Sequence, residues 1–146
     1  MCGITGFIDE SIQDDGLIQK MLASLAHRGP DASTFKKFNN TYLGHRRLSI
    51  IDLNTGDQPM FNDAKNLCIV FNGEIYNYKE IKKELEALGV TFNTSSDTEV
   101  ILKAYEVYGV DSLNKLNGIF AFAIFDNLKK ELFLARDHFG VKPLHY

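Results

Sequence analysis

Tryptophan is absent from these 146 residues, proline occurs three times and cysteine only twice. Two cysteines make no disulfide framework. Cys68 lies in the apolar run Leu67-Cys68-Ile69-Val70-Phe71 and reads as a core filler. This usage suggests a reducing setting, and a cytoplasmic location is expected. A surplus of positive charge is missing as well. Sixteen Lys and Arg against nineteen Asp and Glu leave a net charge of −3, so no nucleic acid is expected as a partner. No apolar run approaches the roughly 18 residues of a membrane span, and the start lacks a basic region followed by an apolar one, so neither membrane nor secretion signal is expected. His27, His45, His138 and His145 lack tight metal-ligand spacing, there is no CxxC pair, and neither a P-loop nor GxGxxG occurs. No metal site is expected.

What remains fits one domain over residues 1–146, with 45% hydrophobic and 24% charged residues. A chain of this size can bury roughly 68–70% of its unfolded surface. The local signals alternate between strand and helix. Gly3 to Ile8 reads as a short strand weakened by two glycines. Leu17, Ile18, Met21, Leu22 and Leu25 share one helical face, with Asp14 or Asp15 as cap, and His27-Arg28-Gly29-Pro30-Asp31 breaks that helix. Thr34 to Phe38 and Tyr42 to Ser49 predict strands joined across Asn39-Asn40, and Asn54 to Asp63 predicts a long polar loop. Leu67 to Phe71 reads as a buried strand, and Tyr78, Ile81, Leu85 and Leu88 mark a helix closed by Gly89. Ser96 and Glu99 form a capping box before a third helix ending near Gly109. Ile119 to Phe125 predicts a strand covered on both faces, paired through Asn127–Lys130 with Glu131 to Arg136. Gly140 to Tyr146 predicts one more extended segment, and the chain's end within it reads as a truncation. Paired strands with helices between them predict an α+β sandwich with a mostly antiparallel sheet.

Four segments could carry chemistry. If Met1 is removed, Cys2 carries a thiol and a free α-amine together. An α-amine has a reference pKa of about 7.7–8 and a thiol of about 8.5. The amine can therefore act as base for its own nucleophile. In Gly44-His45-Arg46-Arg47-Leu48-Ser49-Ile50-Ile51, an arginine at a strand end can hold a carboxylate by two parallel hydrogen bonds. Alternation puts Arg46 and Arg47 on opposite faces, so at most one should serve. Asn72-Gly73-Glu74, placed after the buried strand, could offer a side-chain amide and a backbone N–H as an oxyanion hole, or be an ordinary Asn-Gly turn. Asp97 could neutralise a substrate ammonium or merely complement the helix dipole. A Cys–His dyad of Cys2 with His27 or His45 is also open.

Six ordered segments carry a resemblance: Met1 to Phe7, His27 to Asp31, Gly44 to Leu53, Phe71 to Asn77, Ser96 to Glu99 and Arg136 to Leu144. Together they resemble the N-terminal glutaminase domain of the glutamine-dependent asparagine synthetases. Those are class II glutamine amidotransferases, which are N-terminal-nucleophile hydrolases. The resemblance implies a four-layer αββα sandwich, lacking its last strands here. It implies glutamine hydrolysis through a Cys2 thioester, with Asn72 and Gly73 holding the oxyanion. Arg47 would grip the substrate α-carboxylate, Asp97 and Glu74 would meet its ammonium, and Leu48, Ser49, Ile50 and Ile51 would line the pocket. The implied partners are L-glutamine and an ATP-dependent synthetase domain receiving ammonia, and a homodimer is open. No cofactor is implied in this chain, since ATP and Mg2+ belong to that other domain. Two alternatives stand beside this reading: a glutaminase domain for another acceptor, and an inactive remnant that acts as a binding module.

Overall fold

A computed structural model describes residues 1–11, 14–48 and 56–146. The chain folds into two antiparallel sheets packed face to face, with helices on both outer sides. The first sheet has the order β1-β3-β2, from β1 (Gly3–Ile8), β2 (Ala32–Phe38) and β3 (Thr41–Arg47). The second has the order β4-β5-β6-β7, from β4 (Met60–Phe61), β5 (Leu67–Ile75), β6 (Gly118–Asp126) and β7 (Glu131–Arg136). Helix α1 (Gly16–Ser24) covers the first sheet. Helices α2 (Tyr78–Ala87) and α3 (Asp97–Tyr108) cover the second, and a 3-10 helix (Gly109–Lys115) leads from α3 toward β6.

Three apolar clusters mark the interfaces between the four layers. Ile18 and Leu22 of α1 pack on Tyr42 of β3. Between the sheets, Leu43 meets Cys68 and Val70 of β5 and Ala123 and Phe125 of β6, with Ile4 against them. Under α2 and α3 lies the largest cluster, built on Ile69, Phe71, Phe120, Phe122 and Ile124 with Ile81, Leu85, Ile101 and Leu102. Each strand thus sends alternate residues to opposite faces, as the pleat requires. The layering is αββα, and β5 and β6 are apolar on both faces because both faces are covered.

Local chemistry explains most element ends. Ser96 Oγ accepts from the Glu99 amide at 3.3 Å. The Glu99 carboxylate does not reach back to Ser96, however. It binds the amides of Asn93 and Thr94 at 2.8 and 2.6 Å, pinning the segment before the helix. Asp15 is the N-cap of α1, its carbonyl accepting from the Gln19 amide at 3.1 Å, while the carboxylate at the helix start is that of Asp14, accepting from the Gly16 amide at 2.6 Å. Gly89, with a φ of 89°, follows α2 in a left-handed conformation.

Three expectations are corrected. Strand β5 continues through Asn72, Gly73 and Glu74 to Ile75, and the chain turns only at Tyr76-Asn77. The Asn-Gly pair is not a turn because β6 runs alongside it. Cβ atoms built on Gly73 or Gly118 would sit 2.2 Å from the carbonyl oxygens of Ile119 or Glu74, so glycine at both positions lets the two strands approach. In the polar stretch from Asn54 to Asp63, residues 54 and 55 lie outside the described ones, but Met60-Phe61 forms β4 on the edge of β5. Gly140 to Tyr146 forms no strand. It folds around the buried Asp137 carboxylate, which accepts from the amides of Val141 at 2.9 Å and Lys142 at 3.0 Å.

Candidate active site

Strand register brings the candidate residues to one end of the sandwich. Gly3 pairs with Arg46 and Ile4 with His45, so one further step sets Cys2 across from Arg47. Ile4 and Leu43 point between the sheets. Alternation therefore sends Cys2 and Arg47 to the same inter-sheet face and Arg46 to the α1 side. On β5, Cys68 and Val70 also face the gap, which puts Asn72 and Glu74 there as well. His45 lies against the Phe71 backbone. The Arg47 end of β3 thus meets the Asn72-Gly73 end of β5.

The start of the chain is held by the loop after α1, whose Gly29 reads in the sequence only as part of a helix break. A Cβ on Gly29 would lie 2.4 Å from the Arg46 carbonyl carbon, so only glycine lets this loop lie flat on β3. The Asp31 amide donates to the Arg47 carbonyl at 3.0 Å, and Arg28 Nε donates to the Cys2 carbonyl at 3.2 Å. The Cys2 thiol is half-buried, 4.0 Å from the Leu48 carbonyl oxygen. It makes no contact with either candidate histidine among the described hydrogen bonds. His27 is exposed, with Nδ1 on the Ser24 carbonyl at 3.1 Å. His45 is buried, and its pKa is lowered to about 4, first by burial and then by the Arg47 charge. The other thiol, Cys68, is fully buried between the sheets, which pushes its pKa up to about 12.

Strand β5 contributes a row of amides. The Phe120 N–H donates to Asp137 Oδ2 at 3.1 Å, and the Phe120 carbonyl accepts from the Asp137 amide at 2.8 Å. Both Phe120 groups therefore point away from β5, and Gly73, its partner in register, directs its own N–H away from β6. Two neighbours in that row are occupied. Phe71 N–H donates to Gln58 Oε1 at 2.5 Å, and Ile75 N–H donates to Asp97 Oδ2 at 3.1 Å. Between them, no described residue accepts from Gly73 N–H. The Asn72 side chain, in a residue only 6% exposed, likewise has no hydrogen-bond partner among the described residues. Two adjacent donors of different kind are open at one point.

Charge completes the site. Arg47 Nη1 pairs with Asp57 Oδ1 at 2.6 Å; the Arg47 side chain is 15% exposed and that of Asp57 92%. Asp97, the first residue of α3, has its carboxyl pKa raised, first by burial and further by the Glu74 charge, against the amides of Ile75, Thr98 and its own N–H. A half-buried cation and a reluctant anion are what an amino-acid substrate would satisfy. Leu48 is half-buried beside Cys2, while Ser49, Ile50 and Ile51 lie outside the described residues. Sequence reasoning missed Asp57 and Gln58. Gln58 Nε2 also donates to Thr98 Oγ1 at 3.3 Å, and its carbonyl accepts from Thr34 Oγ1, so this one residue ties both sheets to α3. Nothing local in Gly56-Asp57-Gln58-Pro59 announces that role. Among the described residues no cluster of His, Cys, Asp or Glu suits a metal ion, and no helix is long and apolar enough to cross a membrane.

The family described as "Glutamine amidotransferase domain" matches residues 1–146. The chain belongs to that family. This glutamine amidotransferase domain is 44% identical over 151 residues to asparagine synthetase [glutamine-hydrolyzing] 1 of Bacillus subtilis, covering 100% of this chain and 24% of that protein. It is 41% identical over 148 residues to asparagine synthetase [glutamine-hydrolyzing] 2 of Oryza sativa, covering 99% of this chain and 25% of that protein. The chain thus spans about a quarter of the length of these relatives. Among solved structures, it resembles the glutamine phosphoribosylpyrophosphate amidotransferase from B. subtilis, with a TM-score of 0.55 and 30% identity over 67% of this chain and 23% of that one. A second structure, titled as the allosteric regulatory enzyme of purine biosynthesis, gives a TM-score of 0.56 and 31% identity over 70% of this chain and 24% of that one. The αββα layering of this amidotransferase domain agrees with these N-terminal-nucleophile hydrolase neighbours.

Proposed function

We propose that this domain hydrolyses L-glutamine to glutamate and ammonia through a thioester on Cys2. The observation that carries the reading is the pair of open donors, the Asn72 amide and Gly73 N–H, at the strand end facing Cys2 and Arg47. Removal of Met1 frees the Cys2 amine, which takes the thiol proton as Sγ attacks the side-chain carbonyl carbon of glutamine. Charge then gathers on the carbonyl oxygen, where Asn72 and Gly73 meet it. The C–N bond breaks, the α-ammonium returns its proton to the leaving nitrogen, and ammonia departs. Water attacks the thioester, the amine accepts its proton, and release of glutamate restores the thiol.

Arg47 holds the substrate α-carboxylate, while Asp97 and Glu74 meet its ammonium. Backbone groups of Leu48, Ser49, Ile50 and Ile51 line the pocket. The names of the sequence relatives support delivery of the ammonia to an ATP-dependent synthetase domain, with asparagine as the product. A cytoplasmic location fits this role.

The test uses chain freed of Met1, with the loss checked by intact mass. A glutamine-like electrophile should label Cys2 and spare Cys68, whose burial holds it as an inert thiol. Asn72→Ala should raise the barrier to turnover by about 2.7–4 kcal/mol, with a smaller change in glutamine affinity. Turnover within twofold of the parent, in protein shown to be folded, rejects the oxyanion role.

A further inference from the structure

Lys142 is buried, only 8% exposed, and its ammonium has a single hydrogen-bond partner among the described residues: the thioether sulfur of Met1, 3.0 Å from Nζ. That pairing is anomalous. Buried lysines ordinarily have a partner of opposite charge. An ammonium offers three donors, and a thioether is a weak acceptor for one of them.

The loop around Lys142 is held firmly. Asp137 gathers the amides of Val141, Lys142 and Phe120 on one carboxylate, at 2.9, 3.0 and 3.1 Å. Phe120 is the register partner of Gly73. The Lys142 backbone is therefore anchored at the end of the second sheet that bears the open Gly73 amide, while its side chain reaches the chain start on the first sheet.

This inference rests on the thioester reading, in which Met1 is removed and its sulfur leaves with it. We propose that Lys142 is then a positioning residue for the N-terminal nucleophile, its buried ammonium set beside the Cys2 amine and thiol. A second positive charge beside it is disfavoured, so the amine stays unprotonated and able to act as base. When the proton passes from Sγ to the α-nitrogen, the sulfur anion becomes the charged partner that the lysine lacks. Lys142 neither gains nor loses a proton, and its contribution is electrostatic. The other ionisable groups at this end include Arg28 from the loop after α1, His45, Arg46 and Arg47 from β3, Asp57 before β4, Glu74 from β5, Asp97 from α3, and Asp137, whose carboxylate is taken up by the amides of Phe120, Val141 and Lys142. Arg28 reaches the Cys2 carbonyl, and Arg47 is engaged by Asp57. Arg46 Nε is likewise buried without a partner, but on the α1 side of β3; between the sheets, the Lys142 ammonium has neither an acidic nor a carbonyl partner among the described residues.

The experiment follows alkylation of Cys2 by iodoacetamide, a neutral reagent, across pH in Met1-processed chain. Wild type is compared with Lys142→Met, which keeps the stem, and Lys142→Arg, which keeps the charge. Below the ordinary thiol pKa of about 8.5, Lys142→Met should react at least about tenfold more slowly. Above it the rates should converge, and Lys142→Arg should follow wild type. Lys142→Gln carries the same expectation and replaces Lys142→Met if that variant does not fold. Superimposable profiles for wild type and the neutral variants would overturn the proposal, as would equal slowing at every pH, which marks a structural role. Labelling of wild type by a glutamine-like electrophile separates the two readings. If Cys2 fails to label there, the thioester reading falls and takes this one with it. If it labels normally while the profiles coincide, Lys142 alone is rejected.

Discussion

The two sheets differ in how deeply they are held. In the second, β5 and β6 are buried along nearly their whole length, pressed by two helices on one face and the first sheet on the other. In the first, only β3 is buried for most of its length, β1 buries only Gly3 fully and β2 no residue, and one nine-residue helix covers the back. The proposed chemistry divides along the same line. The deep sheet presents Asn72 and Gly73, donors that must not shift as charge develops on the substrate. The shallow sheet presents Cys2 and Arg47, groups that must meet and release a substrate. Donor preorganisation is useful only on backbone that does not relax, and β5 is held by β6 along its length and by Gln58 and Asp97 on its other edge.

The comparison can be broken most severely at its deep side. Phe122, fully buried beneath α3 and packed on Phe120 and Phe133, should cost about 3–5 kcal/mol of global stability as Phe122→Ala. Leu22→Ala on the shallow side should cost about 2 kcal/mol, the low end of the range, because a single helix can settle onto Gly44. Denaturant unfolding of both variants measures this, and equal losses would erase the distinction.

Next in size is an acid response seated between the sheets. The folded pKa of His45, about 4, lies below its ordinary 6.5. The unfolded chain therefore binds the proton first, and stability should fall as pH drops below about 6.5, by roughly 3 kcal/mol when the fall levels off near pH 4. Asp97, whose pKa is raised, acts in the opposite sense at the acid end, since protonation relieves its burial. The difference between wild-type and His45→Asn stability curves isolates the histidine. A constant difference from pH 6.5 down to about 4 would show that His45 does not titrate this way.

The charged pair comes third. Arg47→Leu and Asp97→Asn should each weaken glutamine binding by about 1.5–3 kcal/mol. Asp97→Asn should nevertheless leave thermal stability unchanged or higher, because burial already disfavours the carboxylate. Calorimetric titration with glutamine and a melting curve on the same samples test both halves. N-acetylated glutamine should bind poorly if Asp97 meets the ammonium.

The smallest effect belongs to Asp57. Its pair with Arg47 is nearly all solvent-exposed on the aspartate side, so Asp57→Asn should change stability by less than about 1 kcal/mol. A larger loss, measured in the same denaturant assay, would mean that the shallow sheet depends on that ion pair to hold the β3 end in place.

Sequence alone determined the alternation of strands and helices, the hairpins at Asn39-Asn40 and Asn127–Lys130, the Ser96 cap and the residue types at the site. These rest on period, capping and turn chemistry, which act over a few neighbours. The family pattern likewise needed only residue order. The tertiary structure decided what depends on distant partners. Asn72-Gly73 looked like a turn because Asn and Gly favour one locally; it is strand because Ala121 and Phe120 of β6, nearly fifty residues later, pair with it. The Gly73 amide is open because Asp137 turns both Phe120 groups the other way. Arg47, not Arg46, faces Cys2 because the β1–β3 register sums that way and α1 claims the opposite face. Lys142 could be known as unusual only once folding had buried its ammonium against Met1, 141 positions away.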